Sequence, residues 1–163
     1  RHLPEGIGRL SALAVLRIRG DPEECCPLTN LPASVASLRC LETLELKYTA
    51  LRTFPCGIVG LGGLRTLTLC GSSVSPCPLP NVPENLGDLV GLRHLDLSYT
   101  GVRTLPRSTG QLVDLRTLLL PGCPVGILPD EVGRLEKLET LDLAGTAIRQ
   151  LPAGVQALRA LTA

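Results

Sequence analysis

Aromatic side chains are almost missing from this chain. Its 163 residues include no Trp, one Phe and two Tyr, and there is no Met. Hydrophobic residues still make up 44%, so a core has to be built from Leu, Val and Ile. No apolar run approaches the ~18 residues that a membrane-spanning helix needs, and no signal-peptide pattern opens the chain. The sequence therefore predicts no membrane span.

A charge excess is missing as well. The net charge of +1 gives no electrostatic reason to expect a nucleic-acid partner. Seven cysteines stand at 25, 26, 40, 56, 70, 77 and 123, but their spacing matches no zinc-ligand pattern. We therefore expect no metal and no cofactor. An odd number of scattered cysteines favours a reducing compartment, and we expect the protein in the cytoplasm.

What the chain has is a repeated leucine pattern. The phrase Leu-x-x-Leu-x-Leu begins at Leu41, Leu64, Leu92, Leu115 and Leu138, the copy at Leu13 has Ile18 in the last place, and Leu161 opens a further copy. The steps are 28, 23, 28, 23, 23 and 23 residues. A period of roughly 20–30 residues with this spacing is the signature of a leucine-rich repeat. We number repeats 1 to 6 from these leucines and count positions within each repeat from its first leucine.

The first half of each repeat predicts a short strand. Positions four and six share one face because side chains alternate with period two, and the first leucine packs beneath them. Stacking the strands in parallel builds one leucine column. Position nine is small, as Thr49, Ser72, Thr100, Cys123 and Thr146, and all but the cysteine carry a hydroxyl.

The second half reads Leu-Pro-x-x-Ile/Val-Gly-x-Leu, as in Leu128–Leu135. Proline followed by acidic or small residues suits the first turn of a short helix or 3₁₀ turn. Leucines 86, 89, 112, 135 and 158 should point inward from these turns. The fold class is thus α/β: a curved leucine-rich-repeat solenoid with a parallel β-sheet on its concave face and short turns on its convex face.

The repeat frame covers residues 1–163, so we expect one domain of six to seven repeats. Repeats 1 and 3 each gain five residues, near 20–27 and 71–78, and these insertions should form loops on one edge of the sheet about 10 Å apart. Neither end of the chain has the polar capping repeat that solenoids need. We therefore expect the chain to be a fragment of a longer protein.

Positions three, five and seven of each strand should face solvent on the concave side. Tyrosine and arginine are enriched at binding hot spots, and Tyr48 and Tyr99 stand at the rim beside the insertions. An alternative interpretation is that both tyrosines cover the edge of the leucine core. We predict a protein-binding surface formed by Asp21, Glu23, Glu24, Glu45, Lys47, Tyr48, Arg65, Ser75, Arg93, His94, Asp96, Tyr99, Arg116 and Asp142. A second, flatter patch surrounds Leu119.

Catalysis is not expected. His94 and Asp96 are the one acid–base pair on a common face, but a catalytic site also needs a nucleophile or metal and a pocket. Their neighbours Thr68 and Thr117 lie on an open sheet, so a polar contact surface explains the pair better.

Residues 95–106 and 141–152, each of the form Leu-Asp-Leu-x-x-Thr-x-Val/Ile-Arg-x-Leu-Pro, resemble the repeats of plant intracellular nucleotide-binding leucine-rich-repeat immune receptors. The Leu-Pro-x-x-Ile-Gly-x-Leu half is also similar to plant Ras-group repeat proteins and to repeat-bearing bacterial effectors. The resemblance implies a protein-interaction module that binds a protein ligand or another domain of its own chain, in immune sensing or signalling. Two alternatives stay open: the substrate-recognition arm of an enzyme such as a ubiquitin ligase or kinase, and a structural stacking element.

Overall fold

Six short strands form one parallel sheet in the computed structural model, which describes residues 3–162 apart from the side chain of Cys56. The strands are β1 Val15–Arg19, β2 Thr43–Lys47, β3 Thr66–Cys70, β4 His94–Asp96, β5 Thr117–Leu119 and β6 Thr140–Asp142. They lie in chain order, and each pairs with the next. Equivalent positions pair throughout, so that Leu44, Leu67, Leu95, Leu118 and Leu141 form one row. The predicted solenoid sheet is confirmed.

Seven 3₁₀ turns line the opposite side. They are η1 Glu5–Arg9, η2 Ala33–Ser37, η3 Cys56–Gly60, η4 Leu86–Asp88, η5 Arg107–Gln111, η6 Asp130–Arg134 and η7 Ala153–Ala157. Each turn is closed by a proline carbonyl that accepts the N–H three residues later, for example Val132 N–H to Pro129 O at 3.1 Å. Proline suits this place because its fixed φ starts the turn and its missing N–H is not needed there.

Leucine fills the space between sheet and turns. The leucines at positions one, four and six of repeats 2 to 5 are all buried, as are Leu86, Leu89, Leu112, Leu135 and Leu158. Successive turns also approach closely: a Cβ added at Gly110 would lie 2.4 Å from the Glu131 carbonyl oxygen. Among residues 3–162, no helix has the length and apolar character needed to cross a membrane.

Position nine differs from the prediction in repeat 3. The five inserted residues are 21–25 in repeat 1 and 72–76 in repeat 3, because Cys26 pairs with Thr49 and Cys77 pairs with Thr100 across the sheet edge. Cys77, which is fully buried, therefore takes the place predicted for Ser72, and Ser72 lies in the loop. The position-nine column reads Cys26, Thr49, Cys77, Thr100, Cys123 and Thr146. Cysteine and threonine alternate along it.

Candidate binding surface

The concave face presents three rows of side chains, as the strand register requires. Position five contributes Arg17, Glu45, Thr68, Asp96, Leu119 and Asp142, each paired with its neighbour in that order. Position three contributes Val15, four threonines and His94. Position seven contributes Arg19, Lys47, Cys70, Ser98, Pro121 and Ala144.

Cations dominate the first two strands. Arg17 forms an ion pair with Glu45, with Nε and Oε2 3.2 Å apart. The Arg19 guanidinium lies over the Tyr48 ring, 5.4 Å from its centroid, which is within the range of a cation–π contact. Arg19 pairs directly with Lys47 across β1 and β2. Neither of these two cations has a carboxylate partner among residues 3–162.

The acidic residues farther along the face are held by their own strands. Asp96 Oδ1 accepts the Ser98 N–H at 2.9 Å and also accepts the Ser98 hydroxyl. Asp142 Oδ1 accepts the Ala144 N–H at 2.9 Å. These bonds fix each carboxylate against the chain as it leaves the strand. The geometry thus gives Asp96 a structural role and does not make it the partner of a catalytic His94.

Thr68 and Cys70 were predicted to face solvent, but both are buried, with 2% and 6% of their surface exposed. They lie on β3, where Thr68 stands between Glu45 and Asp96 and Cys70 stands beside Lys47. Burial, reinforced by the Asp96 carboxylate, raises the pKa of the Cys70 thiol to about 12. Cys70 is therefore a protonated and unreactive thiol at neutral pH.

Tyr48 and Tyr99 occupy position eight with positive φ, 55° and 54°. Gly122 and Gly145 occupy the same position in repeats 5 and 6 with φ of 68° and 67°. This left-handed conformation is easy for glycine and strained for tyrosine. Residues strained in this way cluster at functional sites.

Backbone bonds hold both tyrosines in place. The Tyr48 N–H donates to the Cys70 carbonyl at 2.7 Å, and the Tyr48 carbonyl accepts the Cys26 N–H at 2.8 Å. The Tyr99 carbonyl likewise accepts the Cys77 N–H at 2.9 Å. Each tyrosine is therefore tied to the base of an insertion loop. The rings are half-buried, so they contribute both packing and accessible surface.

The two insertion loops contact each other. The Ser72 hydroxyl donates to the Pro22 carbonyl at 2.7 Å, and the Ser75 hydroxyl donates to the Cys25 sulfur at 3.1 Å. We call the surface formed by residues 20–27, residues 71–78, Tyr48 and Tyr99 the loop rim. The loops were expected about 10 Å apart, but they reach across repeat 2 and join.

The predicted arginine row lies elsewhere. Arg65, Arg93 and Arg116 are exposed at position two, which precedes each strand. The loop rim lies at the other end, where the chain leaves the strands. Six residues of extended chain separate positions two and eight, about 20 Å. Arg116 pairs with Glu139. Lys137 pairs with Asp114 at 2.6 Å and holds the pKa of that carboxyl below its usual value.

The predicted binding residues thus divide into two groups. Glu45, Lys47, Tyr48, His94, Asp96, Tyr99 and Asp142 join the concave face or its rim, with Asp21, Glu23, Glu24 and Ser75 on the loops; Arg65, Arg93 and Arg116 form the opposite edge. Asp21, Glu23 and Glu24 are exposed, while Ser75 is engaged in the contact between loops. Arg19 was missing from the prediction, although its place beside Lys47 follows from the strand register. Among the described residues, no cluster of His, Cys, Asp and Glu is arranged to hold a metal ion.

No protein-family model matches the chain, and no curated protein matches it in sequence. Solved structures do match. A leucine-rich-repeat protein of Leptospira interrogans has 32% identity and a TM-score of 0.88, over 99% of this chain and 39% of that protein. The Arabidopsis receptor kinase HAESA, solved with the peptide hormone IDA and the co-receptor SERK1, has 25% identity and a TM-score of 0.81, over 99% of this chain and 27% of HAESA.

A plant ice-binding protein also matches, with 25% identity and a TM-score of 0.68, over 86% of this chain and 44% of that protein. The chain thus spans less than half the length of each of these three proteins. What they share with it is the overall course of the backbone, with TM-scores of 0.68 to 0.88. On its own architecture and on these similarities, the chain has the leucine-rich-repeat fold.

Proposed function

We propose that this chain is a protein-interaction module that holds a segment of a protein partner against its concave face and loop rim. The observation that carries the proposal is the pair of strained tyrosines, Tyr48 and Tyr99. Each stands where repeats 5 and 6 have glycine, at the border between the concave face and an insertion loop. A left-handed tyrosine costs about 1–3 kcal/mol, and a binding role explains why the strain is kept.

The loops support the same surface. Loops that a rigid scaffold positions commonly carry specificity, and these two are positioned by the sheet edge and by each other. HAESA, solved with a peptide hormone, shows that a similar fold can bind a peptide. Within this proposal the partner is a protein ligand or another domain of the same chain. The setting we propose is immune sensing or signalling in the cytoplasm.

Adsorption to ice is a second candidate, because the threonines of position three repeat at the roughly 4.8 Å strand spacing. Other side chains oppose it: His94 interrupts the threonine row, and the charged Arg17, Glu45 and Lys47 stand on the same face. We expect no inhibition of ice recrystallisation, and a protein partner remains the better assignment.

Site-specific cross-linking tests the proposal. Benzoylphenylalanine placed at Tyr48 or Tyr99 should capture a protein from extracts of the source organism on illumination. The same group at exposed Gln156, on the convex side, is the matched control. Excess unlabelled parent protein should compete the capture away, and the purified partner should bind the Tyr48→Gly/Tyr99→Gly variant at least tenfold more weakly, about 1.4 kcal/mol. Equal capture at all three positions would overturn the assignment of the surface.

A further inference from the structure

Charge is distributed unevenly over the concave face. Repeats 1 and 2 carry Arg17, Arg19, Glu45 and Lys47, and the Arg17–Glu45 ion pair cancels one charge of each sign. Arg19 and Lys47 remain, and they are direct neighbours across β1 and β2. Like charges placed directly opposite each other on a sheet are destabilising. This end of the face therefore has two unneutralised cations, and a partner carboxylate would relieve their repulsion.

The rest of the face offers no such charge. Asp96 and Asp142 carry the only acidic side chains of position five beyond repeat 2, and both accept N–H groups from their own strand exits. Between them stands Leu119, half-buried, with Pro121 beside it. The C-terminal half thus presents an apolar surface between two carboxylates that are already engaged.

The distance between the two ends follows from the strand spacing. Leu119 lies on β5, three strands from Lys47 and four from Arg19. At roughly 4.8 Å per strand this is about 14–19 Å, and an extended chain advances about 3.3 Å per residue. Such a chain crossing the face needs about four to six residues to connect the two ends.

We infer that the partner presents a linear, extended segment with an Asp or Glu that reaches Arg19 and Lys47, followed or preceded by an apolar side chain four to six residues away that packs on Leu119 and Pro121. This inference rests on the proposed function and names the chemistry of its ligand. Tyr48 borders the cationic end through its contact with Arg19, so its ring and the partner carboxylate share one guanidinium.

Selection from a display library of random linear peptides on the whole chain tests the inference. We expect enriched peptides to carry an acidic and an apolar residue at that spacing. Arg19→Glu/Lys47→Glu should weaken binding of the selected peptides tenfold or more. Added salt should also weaken it, because Arg19 is exposed and Lys47 is only half-buried, so that dissolved ions screen both charges. Arg134→Glu, an exposed arginine on the convex turn η6, is the matched control and should change binding less than about twofold. Leu119→Ser should remove the preference for the apolar residue, whereas Val113→Ser, 52% exposed in the turn between η5 and β5, should not.

The outcomes separate this inference from the proposed function. Peptides that depend on Tyr48 and Tyr99 but show no acidic residue, or bind the charge-reversed variant unchanged, would overturn the inference and leave the proposed function in place. Peptides unaffected by any substitution on the concave face or loop rim, or no enrichment at all, would count against both. Displacement of the acidic peptides by a single-stranded oligonucleotide would reassign the cations to nucleic acid and overturn the inference.

Discussion

Tyr99 and Gly122 show how one side chain decides which residue its neighbour can be. The Tyr99 ring lies over Gly122, and a Cβ added at Gly122 would lie 2.4 Å from Cδ1 of that ring. Gly122 also has a φ of 68°. The positive φ favours glycine at this position, and the ring of the neighbouring repeat leaves no room for a Cβ there.

Gly122→Ala should lower the free energy of unfolding by about 1–3 kcal/mol, because it adds backbone strain and displaces the tyrosine ring. Urea denaturation measures the change. Gly126→Ala is the control, since a Cβ at Gly126 meets no atom within 4 Å, and it should have little effect. Equal losses in the two variants would contradict the contact with Tyr99.

Cys70 gives a second prediction at this scale. Its pKa is raised from 9.0 to about 12 in the folded protein, so the unfolded chain releases this proton at lower pH. The stabilising contribution is complete below about pH 9 and is lost as pH rises toward 12. Stability should therefore fall with pH over that window, and the slope should be smaller in Cys70→Ala.

Thiol labelling at pH 8 provides an independent measurement on the same residue. Cys40 is exposed and should react quickly in the folded protein. Cys70 should react only after denaturation, as peptide mapping by mass spectrometry would show. Equal labelling of both thiols in the folded state would mean that β3 is not covered as described.

At the scale of the element, the strands and turns could be read from the sequence because the same residue types recur at the same positions. Leucine at positions one, four and six, with Ile18 at position six of repeat 1, and proline before each turn define them. Contacts between repeats do not recur in this way. The burial of Thr68 and Cys70 depends on which side chains stand on the neighbouring strands. The left-handed position eight holds tyrosine in two repeats and glycine in two others, so no single residue type marks it.

The sequence contains a signal that places Cys77, and not Ser72, at position nine of repeat 3. Cys-Pro appears at 26–27, 77–78 and 123–124, and the last copy stands in repeat 5, which has no insertion. Aligning these three dipeptides places each cysteine at position nine and confines the insertions to 21–25 and 72–76. The contact between the loops gave no such signal, since it joins two serines to one backbone carbonyl and one cysteine sulfur with no recurring spacing.

Removing residues 72–76 should leave the fold intact, because the free energy of loop closure changes slowly with length. It should also uncover Cys25, whose sulfur accepts the Ser75 hydroxyl. We expect faster alkylation of Cys25 with no change at Cys40. Removing both insertions should weaken partner binding tenfold or more, about 1.4 kcal/mol. Unchanged Cys25 reactivity would show that the two loops do not pack together.

The central leucine row makes a prediction about strand packing. Leu95 on β4 is fully buried, so Leu95→Ala should cost about 2–5 kcal/mol through the cavity it leaves. Val113→Ala removes an apolar group that is 52% exposed and should change stability by about 0.5 kcal/mol or less. Urea denaturation measures the change. If the slope of the unfolding free energy against urea concentration is the same in both variants, the difference between them is one of stability.

For the whole molecule, stability should vary along the solenoid. Four of the five side chains of β3 are buried, whereas those of β1 alternate between exposed and half-buried and those of β6 are exposed or half-buried. Hydrogen exchange reports local opening free energies. Amides of β3 to β5 should exchange more slowly than those of β1 and β6 in this chain. Uniform protection would indicate that all repeats open together.

The alternating column at position nine gives the solenoid a true period of two rungs. Odd repeats place a thiol there and even repeats a hydroxyl, and the two meet where the Thr100 hydroxyl lies 3.4 Å from the Cys123 sulfur. Two consecutive repeats can therefore be added or removed without placing two thiols or two hydroxyls on adjacent rungs. Excising repeat 4 alone would set Cys77 beside Cys123 on adjacent rungs, within the roughly 4.4–6.8 Å between Cα atoms that a disulfide spans. Removing two consecutive repeats, which together have 46 or 51 residues, preserves the alternation. Removing repeat 4 alone would create a new pair of adjacent, oxidation-sensitive cysteines in the core.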